Sequence, residues 1–346
     1  MRPPWSIVLF TMLAGLGAGL FLGVLGIEAF APASWRPDGL AGATGLAFAL
    51  LAAGLVASVF HLGHPERAWR AASQWRTSWL SREVLALPAL MAVVAVHGLA
   101  LAGIGHAGAT PGLAWMVGLT STLGVILVAT LWWCTGMIYA CLRMVEDWAT
   151  PLTPLCFAAI GLANGLALTA AWQALRLPEP LAVDGAARVI RIDTVQAADA
   201  RATAAALVLA ALLALVLAVG LKGAWWWRRR ARVPRSSLRS ALAIDRPHIR
   251  QMSMGMTGGS YNTREFFHGR SASTMRTVAA AMVALGAVLP AAALLVALAA
   301  FASEARWLAA PLWLAVVLQA LGVVCERWLF FAWARHPQNL YYQAVA

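Results

Sequence analysis

Three residue positions could do proton chemistry, and they fall at the edges of apolar runs. The stretch HLGHPERAWRAASQWRTSWLSRE, residues 61–83, carries His61 at one end and Arg82 and Glu83 at the other. Glu326 and Arg327 lie together inside the last apolar run. Histidine titrates near neutrality and can accept a hydrogen bond or a proton. A partly buried carboxylate can pass a proton on to water. Each residue also has a plainer reading. His61 could bond a loop carbonyl. Glu83 could sit at a helix start, where the dipole favours a carboxylate by about 0.3–1 kcal/mol. Arg82 could form a surface ion pair. Glu326 and Arg327 could pair with each other, because a charge at mid-bilayer costs at least about 2.5–3.5 kcal/mol.

The elements that must hold these residues are long and apolar. The chain of 346 residues is 61% hydrophobic and 12% charged, with a mean hydropathy of +0.74. A soluble protein keeps about a quarter of its residues charged, so an all-α, polytopic membrane protein is expected. A span needs about 20 apolar residues. Eight runs qualify, at roughly 5–29, 39–62, 84–105, 111–141, 152–175, 202–221, 275–301 and 307–333. In hydrocarbon their backbones must bond internally, which makes them helices. The first run is too long for a signal-peptide core and is expected to be a retained helix. The whole of 1–346 reads as one membrane domain with a long basic loop at 222–274.

Eight spans put both termini on one face. All 26 Lys+Arg residues fall there except Arg36, Arg176, Arg188, Arg191, Arg201 and Arg306. The positive-inside rule assigns the basic face to the cytoplasm, although arginines that bind a partner would cluster in the same way. With the bases confined to loops between spans, lipid and protein partners are expected and nucleic acid is not. Gly15, Gly19 and Gly23 in the first run, and Gly161 and Gly165 in the fifth, form small-residue stripes that suit close helix packing. Cys134, Cys141, Cys156 and Cys325 are scattered, with no spacing that would hold zinc or an iron–sulfur cluster.

The elaborate connections all lie on the basic face: the 61–83 stretch, RMVEDWATPLTP at 143–154, the 246–270 segment and CERWLFFAWARHPQNLYYQ at 325–343. Such one-sided decoration suggests a docking surface, with Arg67, Arg70, Arg143, Arg246, Arg250 and Arg264 as its contacts. Here the sequence resembles a family. FHLGHPERAWRA…SWLSRE is similar to the signature between the second and third helices of DmsC-type anchor subunits of dimethyl sulfoxide reductase-like molybdoenzymes. RMVEDWATPLTP and the Glu326-Arg327 region fit as well. The resemblance implies an eight-helix anchor in the bacterial inner membrane. It implies that the anchor holds a four-cluster iron–sulfur subunit and a molybdopterin catalytic subunit. It further implies exchange with menaquinol or another quinone in anaerobic respiration, quinol oxidation favoured, with no haem or cluster in this chain. The family's quinol-site positions correspond to His61 and Glu83, with a pocket expected near helices two, three and eight.

Three other readings bear on the same residues. A haem-bearing cytochrome needs paired histidines at one depth. His97 lies roughly 21 Å beyond Glu83 at 1.5 Å per residue, and neither His61 nor His106 shares that depth. A transporter would carry charges or broken helices at mid-membrane, where only His97 and Asn164 stand out as polar besides serines and threonines. A quinone-reducing anchor of the related NrfD/polysulfide reductase type is the third.

Overall fold

The computed structural model describes residues 1–31, 36–60, 62–177, 192–233, 235–250, 252, 268–302 and 309–337, with the side chains of 192–197 left aside. Among these residues every regular element is helical. Eight helices are long and apolar enough to cross a membrane. They are α1 (Trp5–Phe30), α2 (Pro37–Val59), α3 (Trp79–Ala107), α4 (Pro111–Ala140), α5 (Leu152–Ala174), α6 (Ile192–Ala231), α7 and α8 (Ala309–Ala332). Helix α7 has three parts: Ala272–Val283, a π-helical turn at Ala284–Val288, and Leu289–Ala302.

Helices α1 and α5 form the centre and bury more of their length than the other spans. They meet along the two glycine stripes. A Cβ on Gly19 would collide with the carbonyl oxygen of Gly161 and lie 2.9 Å from the Cα of Gly165. Only hydrogen fits there, so the backbones approach in the manner the spacing predicts. Helices α2, α3 and α4 wrap one side of this pair. On the other side α6 lies along α5, while α8 packs chiefly on α7, α5 and α1.

Two boundaries differ from the sequence reading. The loop expected from 222 is helical up to Ala231, so Lys222 and Trp225–Trp227 belong to α6. Alanine, tryptophan and arginine all tolerate a helix, and long arginines can reach the interface from one. Helix α3 begins at Trp79, with the Ser78 hydroxyl accepting from the backbone N–H of Ser81. Arg82 and Glu83 are therefore helical residues, one turn inside. Between them and α2 lies a 3₁₀ helix, Pro65–Ala72, with Trp69 and Trp75 exposed on the basic face.

The 143–154 connection ties the basic-face ends together. Its Trp148 indole N–H donates to the carbonyl of Phe330 at 3.0 Å. Buried Asp147 takes Arg229 of α6 at 3.5 Å and Arg335 beyond α8 at 3.4 Å. Glu146 pairs with Arg232 at 3.3 Å. Removing one partner of a fully buried ion pair costs about 3–5 kcal/mol. Arg335 is half exposed, so Asp147→Ala should cost somewhat less, about 2–3 kcal/mol. A lowered melting temperature of the purified complex in detergent would show it.

Candidate functional site

Glu83 points into the bundle and is buried. It sits one turn into α3, where its carboxylate accepts a hydrogen bond from the Thr135 hydroxyl of α4. One turn further along α4 is Tyr139, buried and stacked on Phe157 of α5 at 5.8 Å between centroids. On Phe157 also lies the guanidinium of Arg327, 3.5 Å from the ring centroid. The two places singled out in the sequence thus belong to one cluster, joined through α4 and α5.

At the α8 end of the cluster Glu326 and Arg327 are buried side by side, with Arg327 Nε 3.1 Å from Glu326 Oε2. Lys222 of α6 donates to Glu326 Oε1 at 2.5 Å. Two cations and one carboxylate leave a surplus positive charge. It is softened by the Phe157 face under Arg327 and by the Trp225 face 4.2 Å from Lys222 Nζ. A cavity of about 160 Å³ adjoins Lys222 and Glu326 and is walled mostly by apolar residues of α5, α6, α7 and α8.

The remaining expected residues are distributed as follows. His61 lies outside the described residues. Arg82 is exposed. It donates to the carbonyls of Trp75 (2.9 Å) and Arg76 (2.8 Å) and covers the Trp79 ring at 4.2 Å. It clamps the turn that leads into α3, and its guanidinium is not part of the buried cluster. Arg67, Arg70, Arg143, Arg246 and Arg250 are all exposed on the basic face, and Arg264 lies outside the described residues. Helix α8 does not pair with α2 or α3 as its principal neighbours. The expected residues of helices three and eight thus meet through α4 and α5, as two parts of one cluster. The Glu83 part belongs to α3–α4 and the Glu326 part to α5–α8.

Sequence reasoning missed several partners. Thr135 is one hydroxyl in an apolar run. Lys222 reads only as a loop base. Glu28, near the end of α1, carries no motif, yet its carboxylate is hydrogen-bonded with His97 Nε2 at 3.0 Å and takes the Ser121 hydroxyl at 3.1 Å. The other His97 nitrogen meets Thr120 Oγ1 at 2.8 Å, so the ring is fully engaged. Gln319 of α8 is another buried polar group inside the membrane, and its amide finds no hydrogen-bond partner among the described residues. His97 and Asn164 therefore have company at mid-membrane.

Residues 1–333 match the family described as DMSO reductase anchor subunit (DmsC). The chain belongs to this family. It is also 39% identical over 359 residues, covering all of both chains, to a sulfite dehydrogenase subunit from Allochromatium vinosum. As a DmsC-family member it is a multi-pass membrane anchor that associates with a catalytic oxidoreductase subunit. The exposed arginines of the basic face and the buried cluster beneath them occupy the same end of this anchor.

Thr135→Val keeps the shape of the side chain and removes the hydrogen bond to Glu83. A hydrogen bond to a charged group is worth about 1.5–3 kcal/mol. The anchor should still assemble, and turnover of the oxidoreductase complex should slow by about tenfold. Steady-state rates on the purified complex check this.

Proposed function

We propose that this protein is the quinone-exchanging anchor of a molybdopterin/iron–sulfur oxidoreductase in the bacterial inner membrane. The observation that carries this reading is the buried Glu83–Thr135 pair. It is linked through Tyr139 and Phe157 to Arg327, Glu326 and Lys222, directly below the arginine-bearing face. A quinone, when bound, supplies a two-electron, two-proton couple that matches a one-electron relay in an iron–sulfur partner. One polar atom of the chain suits such a ring: the buried Trp226 indole N–H, on a residue that lines an apolar cavity, has no hydrogen-bond acceptor among the described residues.

The protein's own residues handle the protons. Glu83 holds a proton on its carboxylate and exchanges it with water at the basic face. Thr135 fixes the carboxylate's orientation. Lys222 and Arg327 both pair with the Glu326 carboxylate and hold it in place. The basic balance of this face supports its placement in the cytoplasm, which a reporter fused to the C-terminus would test.

The direction of electron flow takes its support from the relative. A dehydrogenase withdraws electrons from its substrate, so a sulfite-oxidising partner would deliver two electrons to the anchor. Glu83 then supplies protons drawn from the basic face, and quinone leaves as quinol. Quinol oxidation, favoured from the resemblance alone, is the same site run backwards. The test uses membrane vesicles holding the whole complex. Sulfite should bleach the ultraviolet absorbance of an added quinone analogue, and vesicles lacking this chain should not respond. Equal bleaching in both would refute the assignment.

A further inference from the structure

Arg327 is 2% exposed, and two sides of its guanidinium are occupied. Phe157 lies under it at 3.5 Å, and Glu326 Oε2 is 3.1 Å from its Nε. Its Nη1 is different: it is buried and has no hydrogen-bond partner among the described residues. A buried donor left unpaired carries its full desolvation cost, and a charged one carries the most. A long side chain on a helix leans toward the N-terminus of that helix. For α8 that direction leads away from the basic face, into the space between α1, α5 and α8.

A small cavity lies there. Its volume is about 10 Å³, and Arg327 lines it together with Thr11 and Gly15 of α1 and Phe157, Gly161 and Asn164 of α5. Asn164 donates through Nδ2 to the carbonyl of Ile160 at 2.7 Å, which leaves its Oδ1 to accept. The Thr11 hydroxyl donates within its own helix, to the carbonyl of Ile7 at 2.9 Å, and its oxygen can still accept. A charged donor from α8 thus shares one small space with acceptors on α1 and α5.

Size and lining together select the occupant. Apolar cavities stay dry, whereas a water needs at least about 10–15 Å³ and two to four polar partners. This cavity reaches the lower bound of volume, and its lining is polar on three helices. A halide would suit the arginine, but it is larger than water and has no proton to give Asn164 or Thr11. A lipid chain is far too large.

We propose that the cavity between α1, α5 and α8 is a binding site for one structural water, which accepts from Arg327 Nη1 and donates to an acceptor on α1 or α5. The water fixes the guanidinium between Phe157 and Glu326. It also brings α1 to bear on a cluster otherwise held by α3, α4, α5, α6 and α8. The glycine stripes then have two uses: Gly19 and Gly165 let the backbones touch, and Gly15 and Gly161 leave room for the water.

Gly15→Ala tests this, because a Cβ at 15 would meet only the Cα of Gly161, at an ordinary 3.9 Å. The methyl fits the fold but takes the water's space. Alanine is also the better helix former, so with no water to lose the substitution would raise the melting temperature. With the water displaced, the intact complex in detergent should instead melt at least roughly 2 °C lower. Gly26→Ala, whose Cβ meets nothing within 4 Å, is the control and should not melt lower. A cryo-electron microscopy map of the wild-type complex, fine enough to show ordered water, should carry a peak about 2.7–3.2 Å from Arg327 Nη1. The Gly15→Ala map should lack it. A wild-type map without that peak overturns the site, as does a Gly15→Ala complex that melts at or above the wild type. A peak that survives Gly15→Ala, or one that strengthens when bromide replaces chloride, overturns it as well.

Discussion

Glu83→Gln should leave the complex assembled and slow its quinone-linked turnover by about a hundredfold or more, the range that a positioned proton-transfer group contributes. Glutamine preserves volume and can still accept from the Thr135 hydroxyl, so packing between α3 and α4 is kept. What it cannot do is bind and release a proton. A helix-start carboxylate with no further role would behave differently. Its loss would cost about 0.3–1 kcal/mol of stability and leave turnover unchanged. Rates with quinone, compared with the co-purification of the partner subunits, separate the two.

The largest effect on stability is expected from Gly19→Leu. A side chain at 19 would have to displace the backbone of Gly161 and Gly165 together. Overpacking in a core costs about 1–3 kcal/mol when side chains can shift. Here the obstacle is main chain on the two most buried helices, so the cost should exceed about 3 kcal/mol. The anchor should be recovered poorly, and what remains should melt at least roughly 6 °C lower. Gly26→Leu is the control: a Cβ there meets nothing within 4 Å, and the melting temperature should hold. Thermal unfolding of both variants in the same detergent checks this.

Much of this architecture is legible in the sequence because bilayer physics leaves few choices. Length and hydropathy mark every span, and the glycine spacing of α1 and α5 announces their crossing. The end of α6 is misleading because Lys222 and three tryptophans look like an interface, when Lys222 is a buried partner of Glu326 on a helix that runs on to Ala231. The partners of Glu83 and His97 are out of reach for a different reason. Thr135 and Thr120 look like any hydroxyl that bonds its own helix, and Glu28 looks like the end of a span. Only the packing of α1, α3 and α4 brings these side chains to bear on one another. Arg82 is drawn toward the site by its neighbour Glu83, but consecutive residues on a helix point apart by about 100°, and this one turns outward to the loop.

The central claim is that protons join the redox reaction through the buried cluster under the arginine-bearing face. The most direct test places the whole complex, uniformly oriented, in liposomes with quinone inside the bilayer and a pH dye on each side. Substrate oxidation should draw two protons per quinone reduced from the basic-face side, and Glu83→Gln should suppress that uptake. Proton uptake from the opposite face, undisturbed by Glu83→Gln, would contradict it.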